Sequence, residues 1–290
     1  VTVTSRVWAW LRRNALSIYA GLAVAYMLIP IVVIAVFSFG ATPQGKLTFG
    51  LDHGFTTEYW SSAFSLPELN EALLTSLRLA ALATVIATVI GTLMAIALVR
   101  HRFRGRRVTN LLIVIPMATP EVVIGAALLS MFIYASFALG FTTLLIAHVM
   151  FSISFVVVVV RSRLIGFDRH LEEAAADLGA TPLATFRTVT LPLLAPGIVS
   201  AALLAFSLSI DDFVISNFNS GTTVTFPLYV YGVSLRGVPV QVNVLATMLF
   251  IAIALAVSLV LWQQRRAERM AAIRPEQEAT AVPTPRTATA

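Results

Sequence analysis

Six stretches of this chain run for about twenty residues with almost no formal charge, near 18–39, 79–99, 111–134, 139–160, 198–218 and 244–262. A helix of that length crosses the roughly 30 Å hydrocarbon core of a bilayer, where only a helix satisfies its own backbone hydrogen bonds. Four of the six hold no formal charge; the third contains Glu121 and the fifth Asp211 and Asp212. With 58% hydrophobic and only 12% charged residues, the chain carries about half the charge of an average soluble domain. The expectation is an all-α polytopic membrane protein. Arginines precede the first run as they precede a secretory signal, but 18–39 is too long for a signal core and no A-x-A-like site follows. It reads as a retained span.

The basic residues alternate along the chain. Arg6, Arg12 and Arg13 precede the first run, and Arg100, Arg102, Arg104, Arg106 and Arg107 follow the second. Arg161, Arg163, Arg169 and Arg187 follow the fourth, and Arg265, Arg266, Arg269 and Arg274 the sixth. The intervening loops hold only Lys46 and Arg236, with Arg78 near the outer end of the second run. Positive charge marks the cytoplasmic side, so both termini are expected there, and the net charge of +6 belongs to loops rather than to a nucleic-acid surface. The chain has no cysteine, which excludes disulfides, thiolate metal sites and cysteine nucleophiles.

Of the outer loops, 40–71 is net acidic and its "FTTEYWSSAF" suits an interfacial helix. "TFPLYVYGVSL" is too short to span and is interrupted by Pro227 and Gly232, as an amphipathic surface segment would be. The expected organisation is a cytoplasmic N-terminus at 1–17, one six-helix domain at 18–265, and a disordered cytoplasmic tail at 266–290 rich in Ala, Thr, Pro and Glu. No internal repeat is visible, unlike the inverted halves of many secondary transporters.

One ordered polar segment, 168–192, interrupts this oily chain on the cytoplasmic side. Asp168 is placed to cap a helix over "RHLEEAAADL", whose acids lie at the end the helix dipole favours. Gly179 fits the left-handed position past its end. Thr181 then caps a second helix with Pro182 in its first turn, expected to stop before Leu191-Pro192. Two short helices joined by a stiff turn form a knob.

The stretch "EAAADLGATPLATFRTVTLP" resembles the EAA motif of ABC importer permeases. Glu173, Ala174, Ala175, Gly179, Leu191 and Pro192 match it, and Val189 stands where isoleucine is usual. The resemblance implies the type I importer permease fold, with this knob, Glu172 included, as the coupling helix seated in a cleft of a separate ATPase subunit. It implies no catalytic residue and no metal or cofactor site here; ATP and magnesium belong to the partner ATPases. "GATPQGKL" at 40–47 imitates a phosphate loop but has Leu47 where a hydroxyl should hold magnesium, and it follows no strand.

Buried acids mark the expected pathway. A carboxylate at mid-membrane costs roughly 2.5–3.5 kcal/mol to insert and so usually faces a cavity or partner. Glu121 stands about 15 Å along the third run, with Pro116 and Pro120 freeing backbone groups nearby. Asp211 and Asp212 stand roughly 20 Å along the fifth and project about 100° apart, so one is expected to face the lumen while the other caps or pairs. An acidic path suits a cation, although Glu121 pairing within the bundle and an aspartate pair at a wet outer end are equally compatible with the sequence.

"SLSIDDFVISNFNSG", "FPLYVYGVSLRG", "VNVLATMLF" and "TPEVVIGAALL" are similar to the second permease subunit of spermidine/putrescine importers, which often has aspartate at the place of Glu121. The same broad group handles ferric iron, thiamine and phosphonate-type solutes. The implied assembly pairs this chain with a homologous permease, two ATP-binding subunits and an extracytoplasmic solute-binding protein, in a bacterial inner membrane and without nucleic acid.

Two features suggest other classes. His148 and Ser152 share a face of the fourth run, as a hydrolase pair would, but no G-x-S-G accompanies them. An ion-coupled transporter could use the three acids as proton or sodium sites; the absent repeat and the knob argue against it.

Overall fold

The computed structural model describes residues 3–42 and 54–281, so most of the phosphate-loop lookalike at 40–47, and Lys46, lie outside the described residues. The chain divides into two compact units, Val1–Pro67 with Gly232–Leu255, and Glu68–Tyr231 with Ala256–Ala290. Among the described residues five helices are long and apolar enough to cross a membrane, and six if one bent pair is a single span. Among the described residues all regular elements are helical, apart from an isolated bridge between Gly40 and Phe55.

The first unit begins with α1 (Val3–Phe37). None of the apolar window within Arg12–Phe37 is buried inside the molecule. Beyond it, the expected interfacial helix shortens to α2 (Glu58–Ser61), and its aromatics are tied locally. Trp60 stacks on Phe39 at 5.0 Å and donates from Nε1 to Ser38 Oγ at 3.3 Å, while the Tyr59 hydroxyl donates to the Thr42 carbonyl. The unit also contains the start of the last helix, α12 (Val240–Ala281), which buries Val240, Val242, Val244 and Leu245.

The second unit holds α3 (Pro67–Arg100), α4 (Arg106–Ala118), α5 (Glu121–Tyr134) and α6 (Phe141–Ile165). After these come α7 (His170–Asp177), α8 (Pro182–Thr185), a π-turn (Phe186–Thr190), α9 (Leu191–Ile210), α10 (Val214–Asn219) and most of α11 (Phe226–Ser234). Among the described spans α6 is the most enclosed. Its Val156, Val157, Val160 and Leu164 join Ala87, Ala95 and Leu98 of α3 and Leu194, Ala201 and Ala205 of α9 in one core. Alanine and glycine let backbones approach where no hydrophobic effect drives association. A Cβ on Gly91 would sit 2.6 Å from Val156 Cγ1, so only glycine allows this α3–α6 contact.

Proline chemistry explains the first departure from the expected spans. The third span is not continuous: α4 and α5 meet at 114°. Pro120 pushes the preceding Thr119 into the extended region (φ −88°, ψ 135°), so α4 ends and a new helix begins at Glu121. Glu121 therefore opens a helix instead of lying midway along one. The fifth span likewise ends at Ile210, and residues 211–213 separate it from α10. By contrast, Pro227 does not interrupt α11: in the first turn its missing N–H has no intrahelical role, and the helix continues through Gly232 to Ser234. The last helix, α12 (Val240–Ala281), passes the expected boundary at 265 and is helical in a region where disorder is expected; alanine, arginine and glutamate there are good helix formers.

Candidate functional site

The polar knob folds from its own local signals. Asp168 Oδ1 accepts the His170 N–H at 3.0 Å, and Glu172 and Glu173 occupy the first turn of α7. Gly179 is left-handed (φ +83°). The Ala180 N–H reaches the Ala175 carbonyl and the Gly179 N–H that of Ala176, the paired bonds of a Schellman ending. Thr181 Oγ1 accepts the Ala184 N–H at 3.3 Å, with Pro182 beginning α8.

The expected stop before Leu191-Pro192 is absent. Pro192 has no N–H and its ring would crowd a carbonyl four residues back. The backbone absorbs this by widening into the π-turn, where the Leu191 N–H reaches back five residues to Phe186, and the helix runs on from Pro182 to Ile210. One half of the knob is thus continuous with a membrane span.

The adjacent glutamates face different ways. Glu172 Oε1 accepts from Arg100 Nη2 at 2.9 Å and from Thr190 Oγ1 at 2.6 Å, joining α7 to the end of α3 and to the π-turn. Arg100 also lies 5.3 Å from the Phe167 ring centroid. The Glu173 side chain is 65% exposed and among the described residues meets only His170, one turn back on the same helix. Ala174 is exposed, Ala175 and Val189 are half-buried, and Leu191 and Pro192 are exposed. The knob also presents Leu178 (90% exposed) and Leu183 (76%), which the sequence reading did not single out. Leucines in an otherwise polar segment were the available signal.

The aspartates lie at the break between α9 and α10. Asp211 follows the last turn of α9, donates its N–H to the Ser207 carbonyl, and is exposed. Asp212 is turned inward, with its side chain 6% exposed. Its Oδ1 accepts the Ile215 N–H at 3.2 Å and its Oδ2 the Ser216 N–H at 2.8 Å, so it caps α10. His148, 2% exposed on α6, brings Nε2 within 3.4 Å of Asp212 Oδ2 and 3.0 Å of Ser216 Oγ. Its Nδ1 lies 2.7 Å from Ser209 Oγ. The histidine thus bonds away from Ser152, whose hydroxyl is buried without a partner among the described residues. Ser209, His148 and Asp212 stand in the order of a hydrolytic triad, but the side chains of all three are buried.

Glu121 is exposed at the start of α5, where the helix dipole favours it. Among the described residues no hydrogen bond or ion pair joins it to Asp211 or Asp212. The contact of α5 with α10 is close-packed: a Cβ on Gly125 would meet Phe218 at 2.7 Å, and Asn219 Nδ2 donates to the Gly125 carbonyl. A further acidic cleft of about 380 Å³ opens between Glu68, Glu71, Thr75, Thr223 and Tyr229. There burial, and after it the Glu68 carboxylate, raise the Tyr229 phenol above its ordinary pKa. The sequence reading counted those glutamates only as loop charge.

Residues 87–270 match the family described as binding-protein-dependent transport system inner membrane component. The spermidine/putrescine transport system permease protein PotC of Haemophilus influenzae is 39% identical over 236 residues, 80% of this chain and 90% of that protein. The putrescine transport system permease protein PotI of Escherichia coli strain K12 is 36% identical over 256 residues, 86% and 90% of the two chains. Among solved structures, a bacterial alginate ABC transporter in complex with an alginate pentasaccharide-bound periplasmic protein superposes with a TM-score of 0.62 over 91% of this chain and 98% of that one. At 17% identity that likeness is one of fold.

Proposed function

The chain belongs to the family of binding-protein-dependent transport system inner membrane components, and on that premise we propose that it is the permease subunit of an ATP-driven importer whose cargo is a polyamine. The observation that carries the cargo is the match, over most of the chain, to permeases named for spermidine and putrescine. An exposed carboxylate at a helix break supports it, since a polyammonium ion needs acids along its route.

In this reading the arginine-rich loops and both termini face the cytoplasm of a bacterial inner membrane. A homologous permease completes the pathway, a solute-binding protein delivers the cargo from outside, and two ATPase subunits hold ATP and magnesium. The knob of α7 and α8 seats on one ATPase. Its exposed Leu178 and Leu183 offer apolar contact, Glu173 offers charge, and small Ala174 permits close approach. Glu172 ties the knob to α3, and the unbroken 182–210 helix carries its movement to the bundle. Closure of the ATPases then opens the permeases towards the binding protein, and hydrolysis resets them.

The test is uptake by the complete transporter in proteoliposomes, offered spermidine, putrescine, ferric iron and thiamine with internal ATP and no ion gradient. ATP-dependent accumulation of a polyamine is expected. Accumulation driven by a proton or sodium gradient without ATP would refute the reading.

A further inference from the structure

Arginine is concentrated where α3 gives way to α4, and the arginines there have different surroundings. Arg100, at the end of α3, is held by Glu172, and Arg161 on α6 donates to Asn110 Oδ1 of α4 at 2.9 Å. Arg102, Arg106 and Arg107 have no such partner. Among the described residues no hydrogen bond or ion pair reaches their guanidinium groups, and no acid occupies the first turn of α4. The chain turns at Gly105 (φ +94°), and these three arginines border one concavity of about 470 Å³ with Phe103 and Val108. Arg104 is exposed on the same loop but does not border it.

The helix that leaves this concavity has two faces. Asn110 and Ile113 lie on the side that packs against α6, where Ile113 joins the buried core. Val108, Leu111, Leu112 and Ile115 follow the i, i+3, i+4, i+7 spacing of one opposite stripe. All four are between 46% and 61% exposed. The stripe climbs about 10 Å away from the arginines. Because the loop joins two elements long and apolar enough to cross a membrane, the concavity lies at headgroup level and the stripe at the level of acyl chains.

Guanidinium groups at the foot and an apolar stripe above them fit a glycerophospholipid with an anionic headgroup. Arginine grips phosphate through paired hydrogen bonds, and basic pockets beside membrane helices attract anionic lipid. An acidic side chain from a protein partner would satisfy the arginines but leave the stripe uncovered. We propose that Arg102, Arg106 and Arg107 hold the phosphate of an anionic glycerophospholipid whose acyl chains lie along Val108, Leu111, Leu112 and Ile115. Lipid and core then hold α4 from opposite sides. The inference concerns lipid rather than cargo and does not rest on the polyamine reading.

The test takes the complete transporter from vesicles of equimolar phosphatidylglycerol and phosphatidylcholine into mild detergent and identifies the retained lipid by native mass spectrometry. A phosphatidylglycerol with a photoactivatable acyl chain maps its position. The wild type is expected to retain phosphatidylglycerol preferentially and to crosslink along the stripe. Arg106→Gln or Arg107→Gln should each lower that preference about fivefold, the usual share of one interfacial arginine. Replacing Arg102, Arg106 and Arg107 together by glutamine should abolish it. Arg104→Gln removes the same charge from outside the concavity and should leave the preference unchanged. Excess inorganic phosphate should not displace the lipid, because it gains nothing from the stripe.

Equal retention of the two lipids by the wild type overturns the proposal. So does an Arg104→Gln effect as large as that of Arg106→Gln, the mark of diffuse surface charge. Displacement by inorganic phosphate, or a crosslink that falls away from the stripe, is equally fatal. If the triple variant does not insert, the single variants carry the same comparison. Lipid selectivity in a transporter that moves no polyamine defeats the cargo reading alone, whereas normal uptake without lipid selectivity defeats this inference alone.

Discussion

Glu172 and Glu173 are chemically identical, and what separates them is what each side chain can reach. Glu172 finds Arg100 and Thr190, on segments far away in sequence, and hydrogen bonds to charged groups of this kind contribute about 1.5–3 kcal/mol when partly shielded. Among the described residues Glu173 finds only an exposed histidine on its own helix, an interaction worth under about 1 kcal/mol. The two substitutions should therefore differ in kind. Glu173→Lys is expected to leave insertion and thermal stability nearly unchanged while uncoupling ATP hydrolysis from uptake, measured as solute moved per ATP. Glu172→Ala should instead loosen the knob, seen as faster amide exchange across α7 and the π-turn. If Glu173→Lys transports normally, the coupling role assigned to that face is wrong.

At the scale of elements, the molecule is built from interrupted helices, and each interruption has its own cause. Pro120 bends one span by dictating the backbone of Thr119, and Pro192 widens a helix without breaking it. The α9–α10 break has no proline at all and is held by hydrogen bonds from a third helix. The π-turn matters most for function, because it lies between the knob and the span that the knob would drive. Pro192→Ala restores the missing N–H and allows a regular helix, which would turn α8 by about 100° relative to α9. The expected result is continued ATP hydrolysis with reduced uptake in the reconstituted transporter. Unchanged uptake per ATP would show that the wide turn is incidental.

At the scale of the whole molecule, α1 is an apolar helix that contributes none of its membrane-facing window to the interior of the chain. Leu22, Tyr26 and Met27 are 65%, 76% and 73% exposed, so lipid or another subunit must cover them. Because the chain contains no cysteine, Leu22→Cys or Met27→Cys introduces a single thiol. A bilayer-soluble maleimide should label both readily in the isolated subunit, and at least one should become protected when the homologous permease is co-expressed. Equal labelling with and without that partner would leave lipid as the sole cover for α1.

The sequence alone determined the membrane class, the approximate spans and the internal caps of the polar knob, since each depends on hydropathy or on chemistry within a few neighbouring residues. The same local character let Asp168, Gly179, Thr181 and Pro182 be read correctly before any fold was known. It also misled at Pro192 and Pro227, where position within the helix decided whether proline was tolerated. Only the tertiary structure could decide which acid of each adjacent pair turns inward. Glu172 depends on a partner 72 residues away, and the histidine that organises Asp212 bonds to serines 61 and 68 residues away. Packing, not local propensity, brings those groups within hydrogen-bonding distance.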